Sequence, residues 1–208
     1  MIFPQILKYI QEAEKHFDEL PENRKLVLAK ISKYVAGRIS IGENPELIYI
    51  CTHNSRRSHF GQIWAKTAAS YYGYENITSY SGGTEATAFN PNAIKAAESV
   101  GFKITKDKQF PNPRYTVQYQ DAGDSILCFS KKYDHPQNPQ DGFCAIMTCT
   151  EADGACPFVP GAVARVSTPY TDPKAFDNTP EQDAKYSERC LQIATETLYV
   201  FSLVKNLI

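Results

Sequence analysis

From Leu47 onward the chain alternates short apolar runs with stretches of helical period, and this alternation limits its fold more than any other feature. The runs LIYI (Leu47 to Ile50), ITSYSGG (Ile77 to Gly83), SILCFS (Ser125 to Ser130) and FCAIMTC (Phe143 to Cys149) read as strands. Strands interleaved with helices are the pattern of βαβ units around a parallel sheet. The spacing predicts a helix from about Ser58 to Tyr72, with Ile63, Trp64, Thr67 and Tyr71 on one side. Another helix opens at Asn90-Pro91, where Asn90 can cap orphan amides and Pro91 suits the first helical position. RYTVQYQ (Arg114 to Gln120) is followed by SILCFS with only DAGD between, which predicts a β-hairpin. The polar, proline-bearing SKKYDHPQNPQDG reads as an exposed loop.

The first stretch, to about Arg38, reads as two helices separated by Pro21. Ile6, Leu7, Ile10 and Phe17 form one apolar stripe, and Val27, Leu28, Ile31, Tyr34 and Val35 form the other, so the two are expected to pair as a helical hairpin. At the other end a long helix is expected from Thr179, capped by that residue and opened by Pro180, with Leu191, Ala194, Leu198 and Phe201 on one face.

A chain of 208 residues is long enough to bury a core as one domain. The expected organisation is a single domain over 1–208, with a helical extension over 1–45 and a core over 46–208. A formal net charge of -1 lacks the basic surplus of a nucleic-acid binder. No apolar run is long enough for a membrane span, and the first twenty residues turn acidic too early for a secretory signal, so a cytoplasmic location is expected. In that setting six irregularly spaced cysteines point to free, catalytic or metal-binding thiols rather than a disulfide framework.

One of them, Cys51, stands where the first strand ends, in ICTHNSRRSHFGQ. A strand, a short loop and a helix start aim successive backbone amides and a helix dipole at one point, which makes an anion cradle. Its candidate oxyanion-binding residues are Thr52, His53, Asn54, Ser55, Arg56 and Arg57. A thiol at its mouth is expected to ionise readily and act as a nucleophile. Arg57 can grip two anion oxygens, and Ser58 can donate to the thiolate. Asn54 suits a left-handed backbone in mid-loop. The plainer reading is a buried strand-end cysteine before an arginine-rich helix start.

CTHNSRRS resembles the oxyanion loop shared by low-molecular-weight protein tyrosine phosphatases and thioredoxin-coupled arsenate reductases. The resemblance covers roughly Glu46 to the C-terminus. It implies an α/β three-layer sandwich around a mainly parallel four-stranded sheet, to which the helical extension and the hairpin are additions. A second stretch, AIMTCTEADGACPFVP, resembles the arsenate reductases in particular, which carry two further redox cysteines at such a strand end and loop; here these are Cys149 and Cys156. The implied chemistry is attack of Cys51 on arsenate, then a disulfide cascade from Cys51 to Cys149 to Cys156, with thioredoxin as external reductant and no bound cofactor. In TPYTDPKAF, Asp172 resembles the general acid of both families, the alternative being a turn-forming Asp-Pro.

The pattern also departs from both families. Arg56 stands where a cysteine is usual, and Lys174 follows the Asp-Pro where the phosphatases place a tyrosine. Some reductases bind potassium beside the loop; Asn54 and Ser81 match two of the ligand positions, but Gln62 replaces a glutamate, which makes the site doubtful. His53 and His59 flank the cradle and would add positive charge below neutral pH without a direct role in the chemistry. Cys128, Cys144 and Cys190 are assigned to packing. For Cys149 and Cys156 a structural zinc site or inert burial remain as alternatives. Three functional classes stay open: arsenate reductase, phosphatase through a Cys51 phosphocysteine, and a non-catalytic oxyanion or redox sensor.

Overall fold

The computed structural model describes residues 1–107, 109, 112–123, 125–155 and 158–208. Two helices come first, α1 (Pro4–Glu14) and α2 (Glu22–Ser40). The core then runs β1 (Glu46–Cys51), α3 (Arg57–Tyr71), β2 (Thr78–Gly83), α4 (Pro91–Val100), β3 (Lys103–Asp107), β4 (Arg114–Gln118) and β5 (Ile126–Cys128). It ends with β6 (Phe143–Met147), α5 (Thr150–Ala155), β7 (Ala162–Ser167), a 3-10 turn over Pro173–Phe176, and α6 (Gln182–Val204).

The central sheet has four parallel strands in the order β2-β1-β6-β7. Both faces of β1 and β6 are buried, so these strands read as unbroken apolar runs. Leu47, Tyr49, Cys144 and Ile146 belong to the larger core, with α2, α3 and α6, while Ile48, Ile50, Ala145 and Met147 face a smaller one closed by Ala152 of α5 and by Tyr133. Gly61 lets α3 lie on β1, since a methyl group there would overlap the Tyr49 ring.

Several local expectations hold. Asn90 caps α4, its Oδ1 accepting from the amides of Asn92 (2.9 Å) and Ala93 (3.3 Å). β4 and β5 form the expected antiparallel pair, with Thr116 opposite Leu127. Others need correction. SILCFS does not join the central sheet; β5 belongs to a separate three-stranded sheet, β3-β4-β5, and the fourth central strand is β7, AVARVS, which the sequence pattern did not single out. β7 is an edge strand with only Val166 fully buried, so it lacks a clear alternation. α6 begins at Gln182 rather than Thr179, whose hydroxyl instead donates to Phe176 O (2.8 Å) and closes a turn. α1 and α2 each pack on α6 rather than chiefly on one another. The 130–142 segment is not freely exposed: Ser130, Lys131 and Asn138 are buried, and the Asn138 amide donates to Ser81 O (3.3 Å) and Tyr133 O (3.0 Å).

No described helix is long and apolar enough to cross a membrane.

Candidate active site

The loop between β1 and α3 turns its carbonyls outward. Cys51 O accepts from the Thr84 amide (3.2 Å), Thr52 O from Glu85 (2.8 Å) and Ser55 O from Asn90 (3.0 Å). His53 O accepts from the hydroxyls of Thr87 (3.0 Å) and Ser130 (3.2 Å). With these carbonyls tied from outside, the loop amides are left available for an anion, as a cradle needs. Asn54, at the bend, has φ of 44°, the left-handed conformation expected of it. Its side chain locks the loop at both ends: Oδ1 accepts from the Lys131 amide (2.7 Å), and Nδ2 donates to Ser58 Oγ (2.9 Å). Gly83 makes room beneath, because a Cβ there would come within 2.7 Å of Asn54 N and Thr52 O.

Cys51 Sγ lies 3.1 Å from Ser58 Oγ, so the hydroxyl already fixed by Asn54 is in reach of the thiol. Arg57 is 5% exposed. One of its terminal nitrogens donates to Tyr170 O (2.8 Å) and the other to Asp172 Oδ2 (2.6 Å). Its Nε is a buried donor with no partner among the described residues. Asp172 combines the two readings offered for it: Oδ1 accepts from the Lys174 amide (3.0 Å) and caps the 3-10 turn, while Oδ2 faces Arg57.

Register places Cys149 beside the cradle. Ile50 pairs with Met147 across β1 and β6, so the two strands end together and Cys149 leaves the sheet next to the loop. Its Sγ sits 3.4 Å from Thr52 Oγ1 and accepts from the Ala152 amide (3.4 Å). Cys51 and Cys149 belong to the same buried cluster. Cys156 lies outside the described residues. Cys128 and Cys144 are fully buried, and burial pushes both thiols up to about 12; Cys190 is pushed up to about 11. These three are neutral at physiological pH, as packing residues should be.

Two expected roles change. Arg56 does not turn its guanidinium into the cradle. Nε donates to the Tyr186 hydroxyl (2.6 Å) and a terminal nitrogen to Asp177 Oδ2 (2.9 Å), with Tyr186 also donating to Asp177 Oδ1 (2.7 Å). His59 supplies no charge: it is fully buried, stacked on Phe89 at 4.1 Å, and burial with the nearby Lys131 cation lowers it to about 3. His53 stands at the rim, its side chain 40% exposed. Lys131, Tyr170, Asp177 and Tyr186 were not legible as site residues, because their link to the loop spans long stretches of chain and follows no local motif.

The potassium ligand set does not fit. Asn54 Oδ1 is taken by the Lys131 amide, Ser81 Oγ by His59 Nδ1 (3.2 Å), and Gln62 is held between Leu127 O (3.0 Å) and the Cys128 thiol (3.6 Å). None is a carboxylate, and a buried ammonium, Lys131, stands next to them. Among the described residues no cluster of three or more His, Cys, Asp or Glu is disposed to hold a metal ion.

No family model matches the chain. Individual relatives do. It is 31% identical to an arsenate reductase of Bacillus subtilis over 147 residues, covering 71% of this chain and 87% of the relative. An arsenate reductase of Bacillus cereus is 35% identical over 132 residues, 63% of this chain and 79% of the relative. Among solved structures, a low-molecular-weight phosphotyrosine phosphatase from Vibrio cholerae superposes with a TM-score of 0.54 at 12% identity, covering 78% of this chain and 97% of that one. An arsenate reductase from Archaeoglobus fulgidus gives 0.50 at 13% identity, covering 75% and 98%. The likenesses to solved structures show a shared fold, the four-stranded parallel sheet with its helices.

Proposed function

The chain belongs to the arsenate reductase family, and from that premise we propose that it reduces arsenate to arsenite, with Cys51 as nucleophile and Cys149 and Cys156 as relay thiols. The observation that carries this reading is the seat of Cys149, packed against Thr52 at the mouth of the cradle that holds Cys51. A phosphatase has no use for a second thiol there.

Arsenate enters the cradle, its oxygens meeting the inward amides and the partnerless Nε of Arg57. Cys51, as thiolate, attacks arsenic, and an oxygen leaves as water after taking a proton from Asp172. Cys149 then attacks the Cys51 sulfur. The S–As bond breaks with its electron pair going to arsenic, which passes from As(V) to As(III) and departs as arsenite, leaving a Cys51–Cys149 disulfide. Cys156 attacks Cys149, frees Cys51, and the resulting Cys149–Cys156 disulfide passes to a thioredoxin-type dithiol. Phe158, 74% exposed and two residues beyond Cys156, and Val163, 61% exposed, offer apolar surface to such a reductant.

The test is arsenate-dependent NADPH oxidation with thioredoxin and thioredoxin reductase, measured for the wild type, Cys149→Ser and Cys156→Ser. Each variant is expected to lose turnover. Full turnover in either, or phosphate-ester hydrolysis unchanged in both with no arsenate reduction by the wild type, overturns the proposal and leaves a phosphatase on the same cradle. Lys174, exposed at the position where the resembling phosphatases place a tyrosine, weighs against that second reading.

A further inference from the structure

Away from the cradle, a cavity of about 410 Å³ opens between α3, β2 and β5, within the size range of small-ligand pockets, about 300–1,000 Å³. Its wall is largely apolar, from Tyr80, Ile126, Leu127 and Phe129, with Gln62 and Ser79 among its polar members. Gln62 is engaged with Leu127 O (3.0 Å), and Ser79 Oγ donates to Gln62 O (2.7 Å). Two lysines line the cavity as well. Lys66 turns its ammonium to the carbonyls of Glu75 (3.1 Å) and Ile77 (3.2 Å). Lys131 does not behave this way. It is 3% exposed, its Nζ lies 4.4 Å from the centroid of the Phe129 ring, and no described residue offers it a hydrogen-bond acceptor or a carboxylate.

At a position this buried, an ammonium that meets only cavity water and no anion or acceptor among the described residues is less well solvated than at the surface, a penalty that proteins ordinarily offset with a counter-ion or a ligand. A ring face returns only about 0.5–2 kcal/mol of this. Among the described residues, the neighbours supply no negative charge. The Cys128 thiol is pushed up to about 12 and His59 down to about 3, so both are neutral when Lys131 is charged. Desolvation lowers Lys131 itself to about 8, which leaves it a cation at pH 7.

We propose that this cavity is a second binding site, distinct from the oxyanion cradle, for a small organic monocarboxylate whose carboxylate pairs with the Lys131 ammonium and whose apolar body lies against Tyr80, Leu127 and Phe129. One cation matches one negative charge, and the apolar wall rejects a bare phosphate or arsenate dianion, for which the cradle is better built. The site is joined to the nucleophile by short steps: the Lys131 amide holds Asn54 Oδ1 (2.7 Å), Asn54 holds Ser58 (2.9 Å), and Ser58 meets Cys51 (3.1 Å).

Benzoate is a suitable probe, titrated calorimetrically into the full chain at pH 7 with the cradle saturated by inorganic phosphate. Saturable binding is expected, weakened at least tenfold, about 1.4 kcal/mol, by Lys131→Met, and at least as much when neutral benzamide replaces benzoate. Leu127→Trp, which fills the cavity from its rim and leaves the lysine in place, is expected to abolish binding. That variant decides the matter if Lys131→Met does not fold. No saturable binding, displacement of benzoate by phosphate, equal binding of benzamide, or unchanged affinity in a folded variant would each overturn the proposal.

Discussion

Ser58 meets Cys51 and is itself held by another residue. Its hydroxyl is fixed by Asn54 and lies 3.1 Å from Cys51 Sγ, so it can donate only in one direction. A hydrogen bond to a charged group contributes about 1.5–3 kcal/mol, and Ser58→Ala is expected to slow turnover roughly ten- to hundredfold, read as kcat with the fold intact by circular dichroism. Cys51→Ser should abolish it. His59 makes a separate prediction about acid. Its folded value is about 3 against 6.5 when unfolded, so between those limits the unfolded chain binds the extra proton. Stability therefore falls as pH drops from 6.5 towards 3, by up to about 1.4 kcal/mol per pH unit from this group. His59→Gln should flatten the acid limb of denaturant midpoints between pH 6.5 and 4; an unchanged slope would mean that the ring is protonated in the folded state. The strand-end cysteine, the bent asparagine and the loop arginine were legible because each is demanded by local geometry. The neutrality of His59 was not, since it depends on what packs around the ring.

Between elements, Arg56 acts as a latch. Its side chain leaves the cradle loop to grip Tyr186 on α6 and Asp177 just after the 3-10 turn that Asp172 caps through the Lys174 amide. The turn carrying the carboxylate thus sits at a fixed height over Arg57. Arg56→Met should cost about 2 kcal/mol, below the 3–5 of a fully buried broken pair because Asp177 is partly exposed, and should lower kcat more than it raises KM. Unchanged kcat in a stable variant would reduce Arg56 to a packing residue. The same scale explains which elements could be read in advance. α4 announces itself by Asn90-Pro91, and β1 and β6 by their apolar runs. β7 and β3 are exposed edges without such a signal, and α6 starts late because Thr179 spends its hydroxyl on a turn.

For the molecule as a whole, side chains of α1 and α2 join the larger buried cluster. Ile6, Ile10, Leu28, Ile31 and Val35 are buried, at about 1.5–3 kcal/mol each, a sum that rivals the 5–15 kcal/mol of a typical domain. Removing residues 1–40 should therefore yield a chain without a cooperative unfolding transition; a folded truncation would refute this. These helices also reach the site. Arg24 of α2 donates to the buried Glu196 carboxylate (2.7 Å), which accepts from the Tyr170 hydroxyl (2.7 Å), and the Tyr170 carbonyl takes Arg57 (2.8 Å). Arg24→Met should leave Glu196 buried beside Tyr170 without its cation, lowering stability by about 3 kcal/mol, checked by chemical denaturation. The sequence by itself determined the parallel sheet, the loop after β1 and the cysteine that opens it, because strand runs, a helix start and a bent asparagine are set by neighbours a few residues apart. Only the tertiary structure decided that Cys149 stands beside Thr52, that the Arg56 guanidinium turns to Tyr186 and Asp177, that His59 stays neutral and that Lys131 is buried without a counter-ion among the described residues. Those outcomes depend on distant segments meeting and shutting out water, which no short stretch of chain encodes.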